Sequence, residues 1–260
     1  MPGKAELRWR LILDEIPRTG PVNMAFDHAL AEAVSPGLGV VRIYRWAPPT
    51  VSFGRNEPAL GLYDREAAAA EGLAFVRRPT GGRAVLHADE VTYAVAVPVG
   101  AFGGLRDTYL QVNRGLVGGL AGVGLQVEVA EGMAALPPDA GPCFQAPVSG
   151  EVMSGGRKLV GSAQVRMGRN LLQHGSVILR GDQSLLDRLR GETQYGPQPA
   201  TVADSLGHAS WGSVAEAVAT GLRVALGGRW RQGGYEPAEE DEAGRLATER
   251  YATEAWTWRR

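Results

Sequence analysis

A single cysteine, Cys143, is all the thiol chemistry that the chain offers. One thiol excludes an internal disulfide, and with it the small secreted scaffolds that such bridges hold together. The N-terminal stretch MPGKAELRWR has no charged head followed by an apolar run, so no signal peptide is expected. No stretch reaches the length and apolarity of a membrane span. These absences predict a cytoplasmic protein without a membrane partner. An excess of one charge is missing too: 27 Lys and Arg face 28 Asp and Glu, net −1, with no long block of either sign. That argues against nucleic acid as a partner. The short acidic run Glu239, Glu240, Asp241, Glu242 reads as a solvated helix start. One cysteine and four scattered histidines give no metal-ligand spacing, so neither a zinc site nor another cofactor is expected. The phosphate-loop spacing GxxxxGK[ST] and the hydrolase elbow GxSxG are both missing.

What the chain has in quantity is glycine and proline, 36 and 16, which imply many tight turns, and 44% apolar residues, enough for a sizeable core. Alternating or compact apolar runs predict strands near 7–16, 40–46, 51–53, 73–78, 90–99, 125–129, 151–154, 158–166 and 171–179. Helical patterns start at Pro21 and recur at 63–71, 106–121, 184–190, 213–226 and 240–251; Gly115, Gly118 and Gly119 weaken the one at 106–121. Hairpins outnumber βαβ units. The expected class is therefore α+β, one domain over 1–260, with mixed or antiparallel sheets, helices packed on them and a helical C-terminal part over roughly 182–260.

Three segments could carry chemistry. Cys143 sits between Pro142 and Phe144 in a Pro/Gly-rich loop over 131–147. It reads either as a small buried hydrophobe or as a reactive thiol, the latter helped by basic residues downstream (Arg157, Lys158, His174). A thiolate is a good acyl acceptor and a thioester a good acyl donor to an amine. Lys158, in GGRKLVGSAQ, reads either as a surface lysine at a hairpin end or as a cation that holds an acyl carbonyl or tunes a thiol. The run RRPTGGRAVLHADE follows a strand, and its two glycines let backbone N–H groups turn towards an anion. Arg77, Arg78, Arg83, His87 and Asp89 gather there, which favours a functional loop over a merely basic surface. His174 falls mid-strand, and His28 and His208 look structural or exposed.

In this order the motifs resemble the lipoate–protein ligase/biotin ligase superfamily, and within it the octanoyltransferases of the LipM type. The likeness rests on NMAFDHAL, WAPPTVSFGRNEP, RRPTGGRAVLHADEVTYAV and CFQAPVSGEVMSGGRKLVGSAQVRMGRNLLQHGSVIL. The resemblance implies a large mixed sheet and a small second sheet, flanked by helices, around an acyl tunnel. It implies transfer of octanoyl from octanoyl-acyl carrier protein onto Cys143 as a thioester, then to a lysine of a lipoyl domain such as the glycine cleavage H protein, by a monomer. Lys158 would lie beside the thioester. Arg78, Gly81, Gly82, Arg83 and His87, with Gly161, Ser162, Ala163 and His174, would bind substrate, and Gln164 stands beside them. ATP-dependent lipoate ligases share the glycine loop and the lysine, but usually carry a third glycine where this chain has Arg83, and do not rely on a cysteine before the lysine. An amidotransferase that moves octanoyl between lipoyl domains, a non-catalytic acyl binder and a cysteine thioesterase are the other readings.

Overall fold

The computed structural model describes residues 6–130 and 150–260. Cys143 and the loop expected over 131–147 lie outside the described residues.

The chain opens with β1 (Arg8–Arg18), whose alternation sends Trp9 and Leu11 to one face and Arg10 and Ile12 to the other. Pro21 begins α1 (Gly20–Ala33), where its missing N–H costs nothing. Then come β2 (Leu38–Trp46), β3 (Thr50–Phe53) and α2 (Arg65–Ala70). Asp64 caps α2 by accepting from the N–H groups of Glu66 and Ala67. After them run β4 (Ala74–Arg77), β5 (Val85–His87), β6 (Glu90–Pro98), α3 (Leu105–Gly122) and β7 (Glu128–Val129). The second half has β8 (Val152–Ser154), β9 (Arg157–Met167), β10 (Asn170–Ile178), α4 (Ser184–Leu189), α5 (Val202–Leu206) and α6 (Trp211–Leu226). It closes with β11 (Arg229–Gln232), α7 (Pro237–Leu246) running into a π-helical turn at Ala247–Tyr251, and α8 (Glu254–Thr257).

Eight strands form the main sheet in the order β11-β1-β2-β6-β10-β9-β8-β7. β11, β1 and β2 are parallel; every later pairing is antiparallel. Three form the small sheet, β4-β3-β5, with one parallel and one antiparallel pairing. The expected α+β class with a large mixed sheet and a small second sheet is what the chain adopts. Helices α3 and α6 cover one face of the main sheet through Leu116, Leu120, Val218 and Leu222. On the other face, α1 and α7 pack through Met24, Leu30, Ala243 and Leu246. A third cluster around Phe53, Tyr63, Leu186 and Trp258 serves the small sheet.

Several local expectations change. The glycines of α3 reflect a close helix crossing: a Cβ on Gly119 would stand 2.0 Å from the carbonyl oxygen of Ala217, and one on Gly221 would stand 2.0 Å from that of Gly115. The C-terminal part is not purely helical, because β11 leaves it to pair with β1. The acidic run is not wholly solvated either: Glu239 is buried and pairs with the Arg10 guanidinium, while Glu240 and Asp241 stay exposed. Among the described residues no helix is long and apolar enough to cross a membrane.

Candidate functional site

Register brings the small side chains of the main sheet into rows. Gly161 on β9, Ser176 on β10, Thr92 on β6 and Tyr44 on β2 stand side by side, and Ala163, His174, Ala94 and Arg42 form the next row. The small sheet and the loop after β4 lie over these rows. Between them runs a narrow slot. Of the residues expected to bind substrate, Arg78, Gly82 and His87 line it from above, and Gly161, Ser162, Ala163 and His174 from the main sheet. Gly81, Arg83 and Lys158 are not among its lining.

The loop owes its shape to buried charge. Arg78 spends its guanidinium on backbone carbonyls: Nη1 donates to Ser52 O (2.9 Å), and Nη2 to Gly81 O (2.9 Å) and Arg83 O (2.7 Å). Glu57 accepts from the N–H groups of Gly54 (2.9 Å) and Ala84 (2.8 Å), and burial raises its pKa. Gly54 must be glycine here, since a Cβ would fall 1.8 Å from Gly82 O, and Gly82 itself has φ +90°. Arg78 thus binds the loop together as well as lining the slot, and Glu57 is a member of the site that sequence reading passed over.

His87 is held from three sides. Its ring stacks on Trp46, with centroids 4.0 Å apart and planes 8° from parallel. Nδ1 lies 2.7 Å from Glu90 Oε1 and Nε2 2.7 Å from Ser52 Oγ. The carboxylate can only accept, so Nδ1 donates to it, and Nε2 faces the serine hydroxyl. Ser176 Oγ also donates to Glu90 (2.8 Å), as does Thr92 Oγ1. Ser52, His87 and Glu90 have the order of a hydrolase triad. Yet Ser52 is fully buried mid-strand and its oxygen already accepts from Arg78 Nη1 (3.0 Å), so the chain serves to fix the imidazole.

His174 clasps the loop to the main sheet. Its Nδ1 donates to Asp27 Oδ2 (2.8 Å), and its Nε2 lies 2.6 Å from Thr80 Oγ1, which donates to it. Asp27, fully buried on α1, also accepts from Arg42 Nη1 (3.0 Å) and from the Tyr44 hydroxyl (2.8 Å). Burial lowers the pKa of His174 and outweighs Asp27, which acts the other way. The imidazole is therefore neutral in the fold and takes up a proton more readily when unfolded. Stability is complete above the unfolded value, 6.5, and declines as pH falls below it towards the folded pKa. Denaturant titrations at pH 7.5 and 5.5 should show this loss, at most about 1.4 kcal/mol per pH unit for one proton. His174→Gln should flatten the profile; an unchanged slope would remove His174 as its source. His28, buried beside Tyr251 and Glu32 with its pKa likewise lowered by burial, adds its own part in both proteins.

Ser162 turns its hydroxyl away from the slot to the α3 side. It lies 2.7 Å from the Tyr93 hydroxyl, in a network that joins Gln173 to Asn113 (3.1 Å). Burial pushes the Tyr93 phenol up to about 12. The reading of Lys158 as a surface lysine is overturned. It is 2% exposed, and its ammonium donates to Glu151 Oε1 at 2.5 Å. It enters β9 three residues before Gly161. Among the described residues no group of three His, Cys, Asp or Glu could hold a metal ion.

The chain is similar to known proteins over most of its length. Residues 19–222 match the family described as the lipoyl protein ligase A/B catalytic domain. Octanoyltransferase LipM of Symbiobacterium thermophilum is 38% identical over 98% of this chain and 100% of its own. That of Kyrpidia tusciae is 38% identical over 97% and 99%. Among solved structures, protein Ta0514 of T. acidophilum with bound lipoic acid superposes with a TM-score of 0.82, covering 98% of this chain and all of that one, at 24% identity.

Proposed function

This chain belongs to the lipoyl protein ligase A/B catalytic family, with LipM octanoyltransferases among its relatives, and on that premise we propose that it moves an octanoyl group from octanoyl-acyl carrier protein to a lysine of a lipoyl domain, such as the glycine cleavage H protein. The observation that carries the reading is the convergence of two distant motif segments, Arg78–Gly82–His87 and Gly161–Ser162–Ala163–His174, on one slot with a low, small-residue floor.

In the proposed reaction the Cys143 thiolate attacks the carrier thioester, the carrier leaves as its thiolate, and octanoyl is held as a thioester. The neutral amine of the acceptor lysine then attacks that carbonyl. The amide forms, the Cys143 thiolate departs, and the amine proton must be taken up. Both ring nitrogens of His87 are already committed to short hydrogen bonds and Lys158 acts as a cation, so this proton passes to the departing Cys143 sulfur. The Lys158 cation, fixed by Glu151, stabilises charge that develops on the reacting carbonyl. The tail lies in the slot, where each buried methylene contributes about 0.8 kcal/mol.

Intact mass spectrometry after mixing with octanoyl-acyl carrier protein, without ATP, tests this directly. The expected result is a gain of one octanoyl group, reversed by hydroxylamine and absent from Cys143→Ala. No gain without ATP, with activity on ATP and free octanoate, would make the protein a ligase instead.

A further inference from the structure

The row Gly161, Ser176, Thr92, Tyr44 lines the slot along its length. Neighbouring strands lie about 4.8 Å apart, so the row spans about 14 Å from β9 to β2. Its first three positions carry a glycine and two short hydroxyl side chains, and the fourth a tyrosine. The floor is low over three strands and rises at β2. The β9 end is the one next to Lys158, three residues earlier on the same strand. An eight-carbon acyl chain, with seven bonds of about 1.5 Å in a zigzag, extends about 9 Å. It fits within that span, which leaves about 5 Å for the thioester head at the β9 end.

The wall at the far end is unevenly built. Tyr44 is fully buried, its hydroxyl is held by Asp27 at 2.8 Å, and the Arg42 guanidinium sits 3.8 Å from its ring centroid. Trp46 is pinned by its indole N–H to Thr92 Oγ1 (2.7 Å) and by its stack on His87. Neither ring can move without breaking buried hydrogen bonds. The third piece is Met24, 1% exposed and lining the slot from α1; its neighbour Asn23 donates to Arg45 O (2.9 Å) and accepts from Arg42 Nη1 (3.2 Å) on β2, and the unbranched Met24 side chain has no polar anchor.

Resting on the reading that the slot holds the acyl tail, we propose that Met24, backed by Tyr44 and Trp46, is the end stop that sets the length of straight acyl chain the protein accepts. Isothermal titration of the full chain with saturated fatty acids of different length, below their micelle concentrations, tests this without the transfer reaction. For the wild type, affinity should climb about fourfold per methylene up to eight carbons and then fall. Met24→Ala should move the maximum to a longer chain by about two carbons, the room that its lost side chain leaves. Met24→Val, a milder truncation, should move it less and guards against a variant that misfolds. A maximum that stays put in folded variants, or a wild-type affinity that keeps rising beyond eight carbons, would overturn the end stop. A shifted maximum together with no octanoyl transfer by any variant would support the stop and remove the transferase reading instead.

Discussion

Asp27→Ala is expected to lower folding stability by about 2–6 kcal/mol, the loss that follows when two buried donors are left without their acceptor. Asp27 is fully buried and one carboxylate serves three donors: the Arg42 guanidinium, the Tyr44 hydroxyl and the His174 imidazole. Arg42 keeps Asp14 (3.0 Å), so its charge is not left bare. The tyrosine and histidine donors are left without this acceptor in the interior, at about 1–3 kcal/mol each. Against a total stability of about 5–15 kcal/mol for a native domain, such a loss is large. Urea unfolding followed by circular dichroism measures it. Asp27→Asn, which keeps an acceptor oxygen but not the charge, should fall between the two. A change below about 1 kcal/mol for Asp27→Ala would mean that the hub is redundant.

Lys158→Met is expected to slow octanoyl transfer by about 100- to 1000-fold, the usual cost of losing one preorganised charge at a reacting carbonyl. The substitution keeps length and removes charge. It also takes the partner from Glu151, so some lost activity could reflect lost stability. The paired variant Lys158→Met with Glu151→Gln separates the two: thermal stability should recover and activity should not. Rates with varied acceptor protein complete the test. A rise only in the acceptor KM, with kcat intact, would place Lys158 in protein docking and out of the chemistry.

Most of the strands could be read from alternation because each has its own apolar face: β1 through Trp9 and Leu11, β6 through Val91, Tyr93, Val95 and Val97. Two could not. β5 is three residues inside a loop motif, and it becomes a strand only by pairing Val85 and His87 with Ser52 and Thr50. β11, RWRQ, has no alternation, and its order comes from a partner more than 200 residues away. The motif segments located the slot, since seven of the named residues line it. What they left dark is the partner of each. That Glu57 pins two glycine loops, that Glu90 and Ser52 fix His87, and that Lys158 is buried against Glu151 depend on contacts across chain distance. Local pattern carries no record of such contacts.

The β1–β11 pairing bears on how the chain comes into being at the ribosome. β1 is made before both of its partners and pairs with β2 soon after that strand emerges, but its other edge waits for Arg229–Gln232. At about 5–20 residues per second, roughly 10–40 s of synthesis separate the two strands. For that time β1 presents an open row of N–H and C=O groups, with Trp9 lacking the stack that Trp230 later gives it (centroids 5.0 Å). The charged residues Arg8, Arg10 and Asp14 along this strand then act as guards, keeping a nascent edge from zipping onto a neighbouring chain before its own last strand arrives.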